Sequence, residues 1–356
     1  MKPLIIFTGG HHNSTLEIAK TIKKEGYLVL WIGHKFTQRG DKSLSAEYQE
    51  VTANKIKFLE LKAGKFYRKF DLIEWLKILL GFIQSLYYLL LNRPALIFSS
   101  GGYISVPVVI AGWVLRIPSI THEQTVVAGW ANKAISPFVK KILLTHESSK
   151  ANYPEEKSIV VGLPLRKEIL SPEYSKKFEP KLLYITCGKQ GSHVINQSVF
   201  PIIPKLVKKF TVIHQTGANT LTKDAERSRR IKEKLGDLKN RYIYGPYFFS
   251  EDAATYLRSS SIIVSRSGAH ASYEFMTLNK KTVLIPIPWV SHNEQLLNAK
   301  LVAKQTGSII LEEKDLSPES LYQAIMEVDK SKKITPTVKL PTNATTKIID
   351  IIHQYV

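Results

Sequence analysis

Short apolar runs end in glycine turns and pass into helix-spaced segments all along the chain. This alternation limits the fold more than any other feature. PLIIF (3–7) has strand character, and TGGHHNST (8–15) is a bare polar turn. In STLEIAKTIKKEG (14–26), Leu16, Ile18, Ala19 and Ile22 follow helical spacing and Gly26 makes a stop. YLVLWIG (27–33) is a second strand. The opening is therefore a βαβ unit with a phosphate-type loop at 8–15. ALIFSS running into GGY, helix-like VPVVIAGWVLR, and the strands PSITHEQ, KKILLT and SIVVG continue it. Apolar strands joined by helices imply a parallel sheet.

The pattern restarts at KLLYITCGKQGS (181–192), with VINQSVFPIIPKLVKKF (194–210) helix-like. TVIHQTG, NRYIYGPYF, SIIVSRSGA and KTVLIPIPW read as further strands. The polar, proline-containing stretch 164–180 reads as a linker. Two α/β domains follow, 1–163 and 164–344, and a cleft between two such domains is the natural ligand site. TTKIIDIIHQYV (345–356) reads as a final helix.

A length of 356 residues exceeds what one core usually holds. Cys187 is the only cysteine, which excludes a disulfide framework and a Cys-rich zinc site. Fifty Lys and Arg against thirty Asp and Glu give a net charge of +20, a field that favours anionic partners. MKPLIIFTGG lacks the long apolar core and the cleavage site of a signal peptide.

DLIEWLKILLGFIQSLYYLLLNRP (71–94) is nearly apolar. Its length suits a membrane span, but Glu74, Lys77 and Gln84 interrupt it within an α/β pattern. A buried or half-exposed helix is expected, or one that dips into a membrane interface. Lys62, Lys65, Arg68, Lys69 and Arg93 flank it as contacts for anionic headgroups.

Four turns offer backbone N–H groups to an anion: Gly9-Gly10, Gly101-Gly102, Gly188 to Gly191, and Gly268. Together, in tandem domains, they suggest a nucleotide-diphosphate ligand. In SRSGAHASYE (265–274), Ser267 and Gly268 fall at a strand-to-helix turn. Glu274, two turns on, is placed to accept from ribose hydroxyls. His11 and His12 sit on the first glycine turn, where an imidazole suits proton transfer near neutrality. With no H-E-x-x-H and no D-x-D, no catalytic metal is expected. Loop amides, helix dipoles and cations such as Arg166 would then stabilise a leaving pyrophosphate.

Several stretches together resemble the MurG family of N-acetylglucosaminyltransferases, from about residue 4 to about 310. They are TGGHHNSTLEIA, SSGGYISVPVVIAGWVLRIPSITHEQTVVAGWANK, VVGLPLRKEIL, GKQGSHVINQ and SRSGAHASYEFMTLNKKTVLIPIPWVSHNEQLLNA. The resemblance implies a GT-B fold of two Rossmann-like domains with parallel sheets facing a central cleft. Segment 345–356 would pack back on the first domain. The implied reaction is an inverting, metal-independent transfer of GlcNAc from UDP-GlcNAc to a muramoyl hydroxyl on an undecaprenyl-diphosphate lipid, for peptidoglycan synthesis. It implies no cofactor and no nucleic acid partner. It places the enzyme peripherally on the cytoplasmic face of the membrane, against an anionic surface.

Carried onto this chain, His11 becomes the base and Glu123 the second catalytic candidate. Thr8, Gly9, Gly10, Thr125, Arg166, Lys189, Gln190, Phe249, Ser267, Gly268, Ala269, His270, Glu274, Glu294 and Gln295 would meet the donor. Gly101, Gly102, Tyr103, His122 and Gln124 would line the acceptor side. The chain departs from the family at Ile6 and Phe7 (a glycine pair), Thr125 (Asn), Lys189 (Ser) and Glu294 (Gln). These departures touch donor contacts. A related GT-B transferase making another glycolipid or polysaccharide precursor, a UDP-sugar 2-epimerase and a non-catalytic membrane-recruited subunit are the alternatives. The apolar segment and the GGY…HEQ stretch argue against the epimerase.

Overall fold

A computed structural model describes residues 2–36, 44–64, 72–188, 191–217, 219, 221–290, 293–332 and 334–356. The chain forms two compact units, Met1–Leu165 with Pro341–Val356, and Arg166–Leu340.

The first unit runs β1 (Leu4–Thr8), α1 (His12–Lys24), β2 (Leu28–Gly33), α2 (Ala46–Ala53), β3 (Lys57–Glu60), α3 (Leu72–Asn92) and β4 (Leu96–Ser99). It continues α4 (Ser105–Val114), β5 (Ser119–Glu123), α5 (Trp130–Ile135), β6 (Lys141–Leu144) and β7 (Ser158–Val160). Among the described residues its seven strands are ordered β3-β2-β1-β4-β5-β6-β7, and each of their pairings is parallel. Ile5 and Phe7 face one apolar cluster, with Leu16, Ile18, Ile22 and Trp31. Ile6 faces the other, with Leu30, Ile97, Val108 and Ile142. The strict alternation follows from strand geometry, and helices cover both faces.

The second unit runs α6 (Lys167–Leu170), β8 (Leu182–Thr186), α7 (His193–Val199), α8 (Ile203–Leu206), β9 (Thr211–Gln215), α9 (Asp224–Glu233) and β10 (Tyr242–Gly245). Then come α10 (Ser250–Ser259), β11 (Ile262–Ser265), α11 (Ala269–Thr277), β12 (Thr282–Leu284), α12 (Glu294–Thr306), β13 (Ile309–Ile310) and α13 (Pro318–Lys330). The strand order is β10-β9-β8-β11-β12-β13, again all parallel. The single helix expected over 194–210 is instead α7, a 3₁₀ turn at Phe200–Ile202, and α8. Pro201 and Pro204 lack the N–H groups a continuous helix needs.

The last helix, α14 (Ala344–His353), belongs to the first unit. Ile348, Ile349, Ile351 and Ile352 enter the same apolar cluster as α1. His353 stacks on Tyr27 and its Nε2 lies 2.9 Å from Glu25.

Helix α3 is two-faced. Leu86 and Leu89 pack inward, and Gly81 closes on Ala63. Leu76, Leu79, Leu80, Ile83, Tyr87, Leu90 and Leu91 are more than half exposed. Among the described residues no helix is long and apolar enough to cross a membrane. Lys62 and Arg93 flank α3, while Lys65, Arg68 and Lys69 lie outside the described residues.

Candidate active site

Strand order reverses between β1 and β4 in the first sheet and between β8 and β11 in the second. The carboxyl ends of strands at such a switch point form a crevice. Each pair of glycine turns flanks one of these two switch points.

In the first unit the two turns interlock. Gly9 has φ +127°, and a Cβ there would lie 2.7 Å from the Gly101 carbonyl and 2.8 Å from the Ser100 amide. The Gly10 amide donates to Gly101 at 2.9 Å. Gly101, φ +73°, is backed by Asn132, and Gly102, φ +79°, sits over Gly10. These glycines therefore serve close loop packing. The Gly10 amide expected at a diphosphate is already committed to Gly101, and Thr8 is fully buried.

His11 follows as an exposed residue at the N-cap of α1. Its carbonyl accepts from the Thr15 hydroxyl at 3.0 Å and from Gln124 Nε2 at 3.4 Å. His12 turns away and lies 3.2 Å from the Glu50 carboxylate. The Ser14 hydroxyl donates to Gln124 Oε1 at 2.5 Å, so the end of β5 pins the first turn of α1. Tyr103 is half-buried, its ring 5.4 Å from that of His34.

The polar side chains of the HEQT stretch are buried and hydrogen-bonded. His122 is fully buried, with Nε2 3.0 Å from the Gly162 carbonyl and 3.2 Å from the Thr145 hydroxyl. Burial lowers its pKa to about 4, against the Gly162 bond and Glu123, so it is neutral and lines no surface. Glu123, expected as a second catalytic candidate, accepts five hydrogen bonds. One oxygen accepts from the Thr125 amide and hydroxyl. The other accepts from Tyr153 at 2.7 Å, the Gly129 amide at 2.8 Å and Asn132 at 3.1 Å. Burial would raise this carboxyl, but those donors hold it below its ordinary range. A carboxylate so occupied is a poor proton acceptor. Thr125, expected at the donor, lies in this network of the first unit, its hydroxyl shared between Glu123 and Val127.

In the second unit the β11–α11 turn is stitched to α12. Ser267 Oγ donates to the Gln295 carbonyl at 2.7 Å, and Asn298 donates to the Ser267 carbonyl at 3.0 Å. Gln295 Oε1 accepts from the Ile287 amide at 3.1 Å, which orients its side chain. Glu294 is half-buried in the first turn of α12. Gly268 caps α11, and among the described residues nothing lies within 4 Å of its Cβ position, so there is open space at this turn. First-turn amides have no intrahelical partner and suit a phosphate.

Two features were not read from the sequence. Buried Arg266 donates to Ser192 at 2.8 Å and to the Ile285 carbonyl at 3.1 Å, and pairs with Glu313 at 2.6 Å. It ties the Gly188–Gly191 turn to the β11 turn; its signal was the arginine inside SRSGA. His193 Nδ1 lies 2.9 Å from Asp224, a carboxylate buried with Asn196. Their separation of 31 residues left no local signal. Phe249 is 77% exposed and meets Tyr247 edge-on. Lys189 and Gln190 lie outside the described residues. Arg166 and Glu274 form an ion pair at 3.3 Å. Among the described residues no group of three or more His, Cys, Asp or Glu is arranged to hold a metal.

Two parallel-sheet α/β units with glycine turns at both switch points define a GT-B fold. The chain belongs to glycosyltransferase family 28: residues 4–144 match its N-terminal domain and 182–355 its C-terminal domain. It is 30% identical over 373 residues to the UDP-N-acetylglucosamine--N-acetylmuramyl-(pentapeptide) pyrophosphoryl-undecaprenol N-acetylglucosamine transferase of Clostridium kluyveri, covering 100% of both chains. Among solved structures, MurG of Acinetobacter baumannii superposes with a TM-score of 0.67 at 20% identity, covering 99% of this chain and 100% of that one. UDP-GlcNAc 2-epimerase of Neisseria meningitidis bound to UDP-GlcNAc gives 0.60 at 16%, covering 99% and 100%. The fold is thus common to a transferase and an epimerase.

Proposed function

We propose that the chain transfers N-acetylglucosamine from UDP-GlcNAc to the 4-hydroxyl of a muramoyl group carried on undecaprenyl diphosphate. The observation that carries this reading is the whole-length likeness to the C. kluyveri transferase. The interlocked TGGH and GGY turns agree with it, since they leave an exposed imidazole at the rim of the first switch point.

The second unit holds the donor. The open Gly268 turn and the amides of Ala269 and His270 take the diphosphate, Glu274 takes the ribose, and Gln295 reads sugar hydroxyls. The first unit presents the acceptor. As the hydroxyl oxygen attacks the anomeric carbon, His11 takes its proton and the bond to UDP breaks, inverting the centre. The negative charge on the leaving diphosphate is met by helix-terminal amides. No step requires a metal.

The exposed face of α3 supports peripheral attachment to the cytoplasmic leaflet, where a polyprenyl-linked acceptor resides. Helix α4, which packs on α3, adds exposed Trp113 and Val114. The +20 charge favours an anionic surface.

The test incubates the protein with UDP-GlcNAc and a lipid-linked muramoyl acceptor, with and without EDTA. The expected product is a β-linked disaccharide lipid with UDP released in equal amount, EDTA having no effect. An α-linkage overturns the single displacement. Conversion of UDP-GlcNAc to its 2-epimer without acceptor overturns the transferase reading.

A further inference from the structure

A cavity of about 410 Å³ opens on the second unit between α7 and α9. That size falls among small-molecule sites, roughly 300–1,000 Å³. Lys223, Arg227, Arg230 and Lys234 line it, and among the described lining residues Glu226 is the one carboxylate. The four cations recur at steps of four, three and four residues. They therefore form one stripe along α9, from its N-cap to its C-cap. Like charges so spaced weaken a helix, so the stripe opposes the stability of α9 rather than serving it. None of these residues belongs to the glycine turns at the switch points.

The stripe is anchored at its centre. The Arg227 guanidinium lies 4.8 Å from the centroid of the Phe200 ring and donates to Gln197 Oε1. Both partners are neutral, so they fix the arginine without neutralising it. Gln197 Nε2 lies 3.5 Å from Asp224 Oδ1. Asp224, in the first turn of α9, is buried and engaged with α7. It accepts from Asn196 at 2.8 Å and lies 2.9 Å from His193 Nδ1. Its charge is therefore directed into the unit. Glu226 sits 3.9 Å from Arg230, an exposed pair that solvent screens.

We infer that the cavity between α7 and α9 binds a phosphate-bearing anion, at a site separate from the donor crevice and independent of the donor reading. Three physical points carry this. The guanidinium forks of Arg227 and Arg230 match phosphate oxygens in geometry, and the two lysines add point charges. A phosphate group carries up to two negative charges near neutrality, so one ligand relieves the repulsion among several cations, which a single carboxylate would not. No aromatic side chain is among the described lining residues, so the cavity recognises the phosphate rather than a base or a sugar ring. Free diphosphate and a lipid phosphate headgroup share this chemistry, and the test separates them.

The experiment uses the full chain, the double variant Arg227→Gln/Arg230→Gln, and Lys300→Gln/Lys304→Gln. The last removes the same charge from exposed positions on α12, near the other edge of the sheet. Hydrogen exchange with inorganic diphosphate, at fixed ionic strength, locates the binding. Diphosphate is expected to slow exchange over 222–234 in the unaltered chain and in the α12 variant. In the arginine variant the diphosphate concentration needed for that protection is expected to rise by about tenfold or more, the scale of a hydrogen bond to a charged group. Thermal melting shows whether each variant is folded. If the arginine variant does not fold, Lys223→Gln/Lys234→Gln, both at exposed positions, takes its place. Sedimentation with phosphatidylglycerol vesicles supplies the second arm. Protection by diphosphate that the cavity variant weakens assigns the site to a free anion. Vesicle binding that falls in the cavity variant and not in the α12 variant assigns it to a headgroup. Absence of both effects overturns the site, and so does an equal loss in the two charge-matched variants, which would reflect net charge alone.

Discussion

The Ser14 hydroxyl donates to Gln124 Oε1 at 2.5 Å across 110 residues of sequence. The amide of the same Gln124 side chain reaches the His11 carbonyl at 3.4 Å. Gln124 therefore sets the height of the His11 turn above the end of β5. Gln124→Leu keeps the volume and removes both bonds. Turnover is expected to fall on the order of 100-fold, because small misplacements of a reacting group carry such costs. UDP affinity, read by calorimetry, is expected to stay unchanged. A parallel loss of UDP affinity would place Gln124 with the donor.

His11 and His12 are adjacent but not equivalent. His12 is engaged with Glu50 at 3.2 Å, while His11 is exposed at the turn. His11→Ala is expected to lower kcat by about 10²–10⁴-fold, the usual contribution of a general base, with UDP still bound. His12→Ala is expected to cost far less, mainly some stability at the α1–α2 contact. Steady-state kinetics of both variants against a fixed acceptor separate the two roles. Full activity in His11→Ala removes the base from this turn.

The parallel sheets were legible because IIF, LIF and IIV runs ending in glycine have few other uses in a folded chain. The glycine turns were legible as sites, but not their reason. Gly9, Gly10, Gly101 and Gly102 are small because two loops pass at contact distance, a relation between residues some 90 positions apart. The burial of the HEQ stretch was hidden in a related way. Polar side chains at a strand end read as a lining, yet His122 and Glu123 are buried and hydrogen-bonded, and no periodicity distinguishes the two cases. The pair of Arg166 and Glu274 had the same obstacle, since its two members lie 108 residues apart.

Glu47 makes stability pH-dependent. Burial raises its carboxyl from the ordinary 4.5 to about 7, although the Trp31 indole N–H, 2.6 Å from Oε1, and a backbone bond at His34 act the other way. The folded chain holds this proton more tightly than the unfolded chain does. Its contribution is therefore complete below about pH 4.5 and is lost as pH rises through about 7. Glu47→Gln keeps an acceptor for Trp31 and never ionises. Its melting temperature is expected to exceed that of the unaltered chain above pH 7, with the gap shrinking towards pH 5. A gap independent of pH would remove Glu47 as the titrating group.

Helix α3 separates packing from attachment. Phe82 and Leu86 pack against the core, so polar replacements there are expected to lower the melting temperature whatever the membrane does. Leu79, Leu80 and Ile83 are 54%, 61% and 53% exposed, so exchanging them for Gln is expected to leave melting unchanged. Each large aliphatic side chain that enters an acyl boundary contributes about 1.5–3 kcal/mol, so the triple variant is expected to lose at least about 100-fold in affinity for anionic vesicles. High salt is expected to weaken the unaltered chain's binding, because exposed charges are screened within a Debye length. Sedimentation with vesicles of phosphatidylglycerol and of neutral lipid, at low and high salt, reads both effects. Transfer to a short-chain soluble acceptor is expected to survive the triple exchange, since the substituted side chains lie outside both switch points. A variant that pellets like the unaltered chain would remove α3 as the attachment face.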